Sequence, residues 1–175
     1  PTAFDYIRLG HPLSCVLEWA IAEIKDVHVN NVISFSSQTM PILAVLRKNH
    51  FDGVKTHILI DTKMPDGFNT KLLKSVYGYD FEIVQAFDSS FNGVTIKVSD
   101  FDHAWKKDED SADIAVYAHH DLGSVAITRP DSFIGEIQHV RRRESIAMTP
   151  RDCFNVLQEF VNNEKAQAST IDKAA

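Results

Sequence analysis

Cysteine is scarce in this chain: Cys15 and Cys153 are the only two among 175 residues. Neither lies in the close spacing that a cysteine metal site requires, and we expect both to be reduced thiols. The sequence therefore predicts a cytoplasmic protein without a cysteine-ligated metal. On balance we expect no other metal site, and we expect no bound cofactor.

Long apolar runs and an excess of basic residues are also missing. The apolar runs are much shorter than the ~20 residues that a membrane span needs, and no charged-then-apolar leader opens the sequence. We therefore expect no membrane partner and no signal peptide. With 18 Lys and Arg against 24 Asp and Glu, the net charge is −6. Such a chain has no overall attraction for nucleic acid, which is disfavoured as a partner.

Hydrophobic residues make up 44% of the sequence, enough for one sizeable core. We see neither a repeat nor a linker, and we predict one domain over residues 1–165 followed by a flexible tail over 166–175.

Apolar periodicity predicts helices that alternate with short buried strands. The helices are expected at 12–25, 40–49, 69–77, 132–143 and 149–164, and the strands at 31–35, 56–60, 81–87, 94–98, 113–118 and 125–128. Such alternation is typical of α/β proteins. We predict a single Rossmann-like domain with a mainly parallel sheet flanked by helices.

Polar residues follow the first predicted strand, where ligands bind in open parallel sheets. Ser36, Ser37, Gln38 and Thr39 lead into a helix whose N-terminus suits an anion. The structural alternative is that Ser37 or Thr39 simply caps this helix.

Two further groups follow later strands. Asp61 suits a ribose hydroxyl, a metal ion or a loop cap. His119, His120 and Asp121 suggest a metal or acid–base site, although neighbouring strand residues face opposite ways unless the strand has ended. The role of His119 and His120 is left open.

The first 90 residues resemble the phosphoadenylyl-sulfate (PAPS) reductases and their adenine-nucleotide α-hydrolase-like relatives. Residues 34–39 read Ser-Phe-Ser-Ser-Gln-Thr and are similar to the phosphate-binding loop of that family, while 60–62 read Ile-Asp-Thr, like its second strand end. The resemblance implies that phosphate is surrounded by Ser34, Ser36, Ser37 and Gln38. It also implies that Asp61 and Thr62 lie near adenosine, and that an anionic substrate is held by Arg141, Arg142 and Arg143. A solvated helix end is the alternative reading of the arginine run.

Departures from the family concern its chemistry. Ser36 replaces the loop glycine, Lys63 stands where the family has glycine, and the C-terminal Glu-Cys-Gly-Leu-His motif is absent. Cys153 belongs to the apolar stripe of a helix, so we expect a structural thiol rather than a nucleophile. A thiol-dependent PAPS reductase is therefore not expected.

Two hypotheses remain open. In the first, the chain is a protein of this superfamily that binds an adenine nucleotide or a related phosphorylated small molecule and acts as a transferase or hydrolase of such substrates. The alternative is a non-catalytic relative, serving as a regulatory or interaction module for a second copy or a protein partner.

Overall fold

The computed structural model describes residue 8, residues 10–107 and residues 111–174, with side chains described as far as Glu164. The helices in this part are α1 (Pro12–Lys25), α2 (Met40–Asp52), α3 (Thr70–Ser75), α4 (Ile134–Glu144) and α5 (Pro150–Ala174). The strands are β1 (Val32–Phe35), β2 (Thr56–Ile60), β3 (Phe81–Val84), β4 (Val94–Asp100), β5 (Ile114–His119) and β6 (Gly123–Thr128).

The six strands form one sheet in the order β1-β6-β5-β4-β2-β3. Strand β6 runs antiparallel to both of its neighbours, whereas β5, β4, β2 and β3 pair in parallel. Since β1 and β5 are both antiparallel to β6, they point the same way. The predicted α/β class with a mainly parallel sheet is confirmed, and the carboxyl ends of five strands share one edge.

Helices cover both faces of the sheet. One core lies beneath α2 and α4, where side chains such as Ile42, Val45 and Ile137 are fully buried against the strands. The other core lies beneath α1 and α5 and includes Leu17 and Tyr117. Two-sided cover explains why the strands read as nearly continuous apolar runs.

Local sequence signals set the start of α1. His11 caps the helix, because its Nδ1 accepts from the backbone N–H of Ser14 at 3.2 Å. Pro12 occupies the first helical position, where a missing N–H costs little. The Nε2 of His11 then donates to the carbonyl of Met148 at 2.7 Å, which joins α1 to the chain just before α5.

Several boundaries differ from those expected. A short 3-10 helix covers Phe101–Trp105, between the strands predicted at 94–98 and 113–118, because Phe101 and Ala104 bury their side chains. The third strand ends at Val84 rather than at residue 87. Helix α5 extends to Ala174, within the segment expected to be a tail. None of the helices in the described ranges combines the length and the apolar character that crossing a bilayer requires.

Candidate functional site

The predicted anion-binding turn at the start of α2 is occupied by its own side chains. Ser37 Oγ accepts from the backbone N–H groups of Thr39 and Met40, at 3.3 and 3.2 Å. The N–H of Ser36 donates to the carbonyl of Ile146 at 3.1 Å. The turn is therefore capped as a structural element, the alternative that the sequence left open.

Gln38 fastens the β5–β6 hairpin to this turn. Its Nε2 donates to the carbonyls of His119 and His120, at 2.6 and 2.7 Å. From β6, the hydroxyl of Ser124 donates to the carbonyl of Ser37 at 2.6 Å. The hairpin thus packs directly on the residues that were expected to bind phosphate.

Ser34 and Arg141 meet, but within the protein rather than at a ligand site. Ser34 is fully buried, and both its N–H and its Oγ donate to Glu18 Oε1, at 2.8 and 2.7 Å. Arg141 Nη1 donates to the same carboxylate oxygen at 2.8 Å. Helices α1 and α4 are joined to strand β1 by this cluster.

The other two arginines of the run are exposed. Arg142 Nη2 lies 3.3 Å from Gln138 Oε1 on the same helix, and Arg143 is also exposed.

Asp61 and Thr62 lie at the predicted sheet edge and are held by β4. Asp61 Oδ2 accepts from Ser99 Oγ at 2.7 Å and lies 3.3 Å from Lys97 Nζ. Thr62 Oγ1 donates to Asp100 Oδ1 at 3.0 Å.

Thr39 lines one of three cavities in the described part of the chain, and the other predicted ligand residues line none of these three. It borders an apolar groove of about 250 Å³ between α2, α3 and α4. Burial raises the pKa of Tyr79 in this groove, opposed by the positive charge of Arg47. Arg47 itself forms ion pairs with Glu136 and Glu144, and these carboxylates neutralise its positive charge in the groove wall.

A larger cleft of about 450 Å³ opens at the carboxyl edge, between the ends of β4 and β5 and helix α5. A second cavity of about 270 Å³ adjoins it on the hairpin side and shares His119, His120 and Glu159. We call the two together the His119 cleft. Its other lining residues are Asp100, Phe101, Asp102, Ala118, Asp121, Leu122, Asn155, Gln158 and Asn162.

Hydrogen bonds fix the tautomer of His119. Its Nδ1 accepts from the backbone N–H groups of Asp121 and Leu122, both at 3.1 Å. The proton of a neutral ring is then on Nε2, which lies 3.4 Å from Glu159 Oε2. With its lone pair engaged, His119 offers a hydrogen-bond donor to the cleft rather than a general base.

Both histidines reach the cleft because β5 ends at His119. The two rings stack with centroids 4.3 Å apart, and the rings of Phe101 and His119 meet in a T-shaped arrangement with centroids 6.1 Å apart. His120 is exposed, and its Nε2 lies 2.9 Å from Asp121 Oδ2. Within the ranges that the structure describes, no group of three or more His, Cys, Asp or Glu side chains is placed to hold a metal ion.

The cleft is negatively charged. Asp100, Asp102, Asp121 and Glu159 line it, and neither of its two cavities is lined by a lysine or an arginine. Such a wall attracts cations and disfavours phosphate. Asp100 is the last residue of β4, so the strand-end rule could have found it, whereas nothing in the sequence indicates that Glu159 packs beside the hairpin.

The Cys153 thiol is not suited to act as a nucleophile. It is fully buried, and this burial raises the pKa of its thiol to about 12, with a further contribution from the nearby Glu18 carboxylate. The expectation of a core thiol is confirmed.

The fold is similar to that of several solved enzymes, although no protein-family model matches the sequence and no curated protein is significantly similar. Cystathionine gamma synthase from Xanthomonas oryzae pv. oryzae, in complex with cystathionine, matches 91% of this chain at 14% identity with a TM-score of 0.59. An aminotransferase from Streptoalloteichus hindustanus matches 85% at 10% identity and 0.54. A structure from Listeria monocytogenes assigned as an L-allo-threonine aldolase matches 93% at 10% identity and 0.59. The chain spans 53% to 61% of the length of these structures.

These neighbours correct the family resemblance. They are pyridoxal-phosphate-dependent enzymes, so the assignment to PAPS reductases and adenine-nucleotide α-hydrolases is wrong. The motifs misled because short polar residues after a strand, such as Ser37-Gln38-Thr39 after β1 and Asp61-Thr62 after β2, suit the strand ends of any α/β fold and do not define a family.

The functions that rested on that family are wrong as well. A binder of nucleotides or phosphorylated substrates does not follow from these neighbours. The alternative, a non-catalytic regulatory or interaction module, gains no better support from them.

Proposed function

We propose that the chain binds a small amine of the amino-acid class in the His119 cleft. The observation that carries this proposal is the lining itself, in which carboxylates meet the Nε2–H of a neutral imidazole without a lysine or arginine. An ammonium group can pair with Glu159 and Asp102, which both line the cleft, and the Nε2–H of His119, which faces Glu159 at 3.4 Å in the free chain, can then donate to the ligand carboxylate.

The structural neighbours support the same ligand class. One structure of the Xanthomonas enzyme holds aminoacrylate and cysteine, and another holds cystathionine. Amino compounds are thus ligands of proteins that share this fold. The cytoplasmic location stays a prediction.

Isothermal titration with the folded chain tests the proposal. We expect cysteine and cystathionine to bind, and N-acetylcysteine to bind at least about tenfold more weakly, because acetylation removes a charge-assisted hydrogen bond. Inorganic phosphate and AMP should give no signal. Equal affinity for cysteine and its acetylated form would contradict the assignment.

A matched pair of variants on one helix locates the site. Glu159→Gln removes a cleft carboxylate, whereas Glu164→Gln removes the charge of an exposed residue that lies outside the cleft. We expect the first change to weaken amine binding about tenfold and the second to leave it unchanged. Loss of affinity in both variants would indicate a general charge effect instead.

A further inference from the structure

The fold raises the question of whether this chain can hold pyridoxal phosphate. That cofactor is held by a Schiff base to a lysine, and its phosphate needs free donors, which helix N-termini in α/β folds commonly supply. Both requirements can be checked against the side chains at the carboxyl edge of the sheet.

The lysine requirement is not met at this edge. The residues that line the His119 cleft include no lysine. Lys63 follows β2, but it is 78% exposed and its Nζ lies 2.7 Å from Asp66 Oδ1. Lys97 lies within β4, with its Nζ beside Asp61, and lines neither cavity of the cleft.

The phosphate requirement is not met either. Ser37 already accepts from the N–H groups of Thr39 and Met40 at the start of α2. The side-chain amide of Gln38 already donates to the carbonyls of the hairpin. Gly123 lies so close to the backbone of Phe35 and Ser36 that a Cβ at this position would be 2.2 Å from the carbonyl oxygen of Phe35.

We infer that this chain does not carry pyridoxal phosphate as a lysine adduct, because its own β5–β6 hairpin and Ser37 fill the start of α2 and no lysine lines the adjoining cleft. The residues do not fit the cofactor, although the fold is that of enzymes that use it. The inference is independent of the proposed amine binding, which requires neither a lysine nor a phosphate site.

Trapping the adduct tests the inference directly. The folded chain is incubated with pyridoxal phosphate, reduced with borohydride, and analysed by intact mass and peptide mapping. We expect partial labelling spread over exposed lysines such as Lys63, without saturation at one equivalent. Saturable labelling of a single lysine at one equivalent would overturn the inference, whatever the outcome of the amine titrations.

A variant that supplies a lysine tests the missing phosphate site separately from the missing lysine. His120 is 80% exposed in its side chain and lines the cleft, so His120→Lys adds an amine there without disturbing the core. We expect this variant to react with pyridoxal phosphate and with pyridoxal at affinities within about threefold of each other, since the start of α2, next to the cleft, offers no free phosphate donors among the described residues. An anchored phosphate that accepts two charge-assisted hydrogen bonds would instead favour the phosphorylated form by about a hundredfold or more. That preference would overturn the inference.

Discussion

Arg141 on α4 and Glu18 on α1 form an ion pair across the edge strand β1, with Nη1 2.8 Å from Oε1. Their side chains are only 10% and 13% exposed. Because Ser34 donates twice to the same oxygen, the pair is part of a hydrogen-bonded cluster. This cluster joins α1, α4 and β1, and it gives Arg141 a structural role within the arginine run.

Removal of the Glu18 carboxylate should destabilise the fold. Glu18→Ala leaves the Arg141 charge and both donors of Ser34 without this acceptor, and breaking such a pair costs about 3 kcal/mol. Urea unfolding measures the loss, with the exposed Glu23→Ala on the same helix as a control expected within about 0.5 kcal/mol of wild type. The double variant Glu18→Ala/Arg141→Met should lose less than the sum of the two single changes. Strict additivity would show that the pair is not coupled.

The glycines of the second half provide a matched test of the hairpin contact. Gly123 has φ of +106° and no room for a Cβ, so Gly123→Ala should cost roughly 3 kcal/mol or prevent folding. Gly135, in helix α4, has no atom within 4 Å of the position that a Cβ would take, and Gly135→Ala should stabilise by about 0.5–1 kcal/mol. Thermal unfolding monitored by circular dichroism compares the two. If Gly123→Ala left the melting temperature unchanged, the hairpin would not contact the backbone of Phe35 and Ser36 as closely as described.

The fold could be predicted well from residue patterns. The 3.6-residue stripe of Leu17 and Ile21 defines α1, whose predicted and observed bounds agree, and the apolar run at residues 56–60 gives β2. Apolar periodicity does not indicate the direction of a strand, however, so it could not predict that β6 lies antiparallel beside β1. The short connection His120-Asp121-Leu122, followed by Gly123, was the available signal for a hairpin.

The candidate site was much less predictable. Arg141 lies one helical turn beyond Ile137, on the buried side of α4, so periodicity could have separated it from the exposed Arg142. The strand-end rule found His119 and His120. Glu159 reaches the cleft through the packing of α5, which depends on contacts between distant parts of the chain.

Cys153 should resist alkylation in the native protein. Burial raises its pKa to about 12, so little thiolate exists near neutral pH, whereas Cys15 is exposed and serves as the internal control. Iodoacetamide labelling at pH 7 to 9, followed by peptide mass spectrometry, should modify Cys15 alone. Rapid modification of Cys153 near pH 7 would contradict the assignment of a core thiol.

The same thiol makes stability depend on alkaline pH. A folded-state pKa near 12, against an ordinary value of 9.0, means that the native state keeps a proton that the unfolded state loses. This contribution is fully present below pH 9 and is lost as the pH rises towards 12. The free energy of unfolding should therefore fall more steeply in wild type than in Cys153→Ala over that window. Urea titrations at pH 8, 9 and 10 measure the two slopes, and parallel slopes would mean that the thiol titrates normally in the folded state.

The tautomer of His119 can be observed directly. Two backbone N–H groups donate to its Nδ1, so the neutral ring must carry its proton on Nε2, facing Glu159. Two-bond ¹⁵N–¹H correlation spectra of the histidine rings distinguish the tautomers, and His119→Gln identifies the signals. We expect the Nε2–H pattern for His119 in the free protein and after addition of cysteine, because the ring donates to its ligand and does not take a proton from it. An Nδ1–H pattern would contradict the hairpin geometry. A change to the doubly protonated form on binding would instead make His119 a base and would remove the donor role that the proposed amine site gives it.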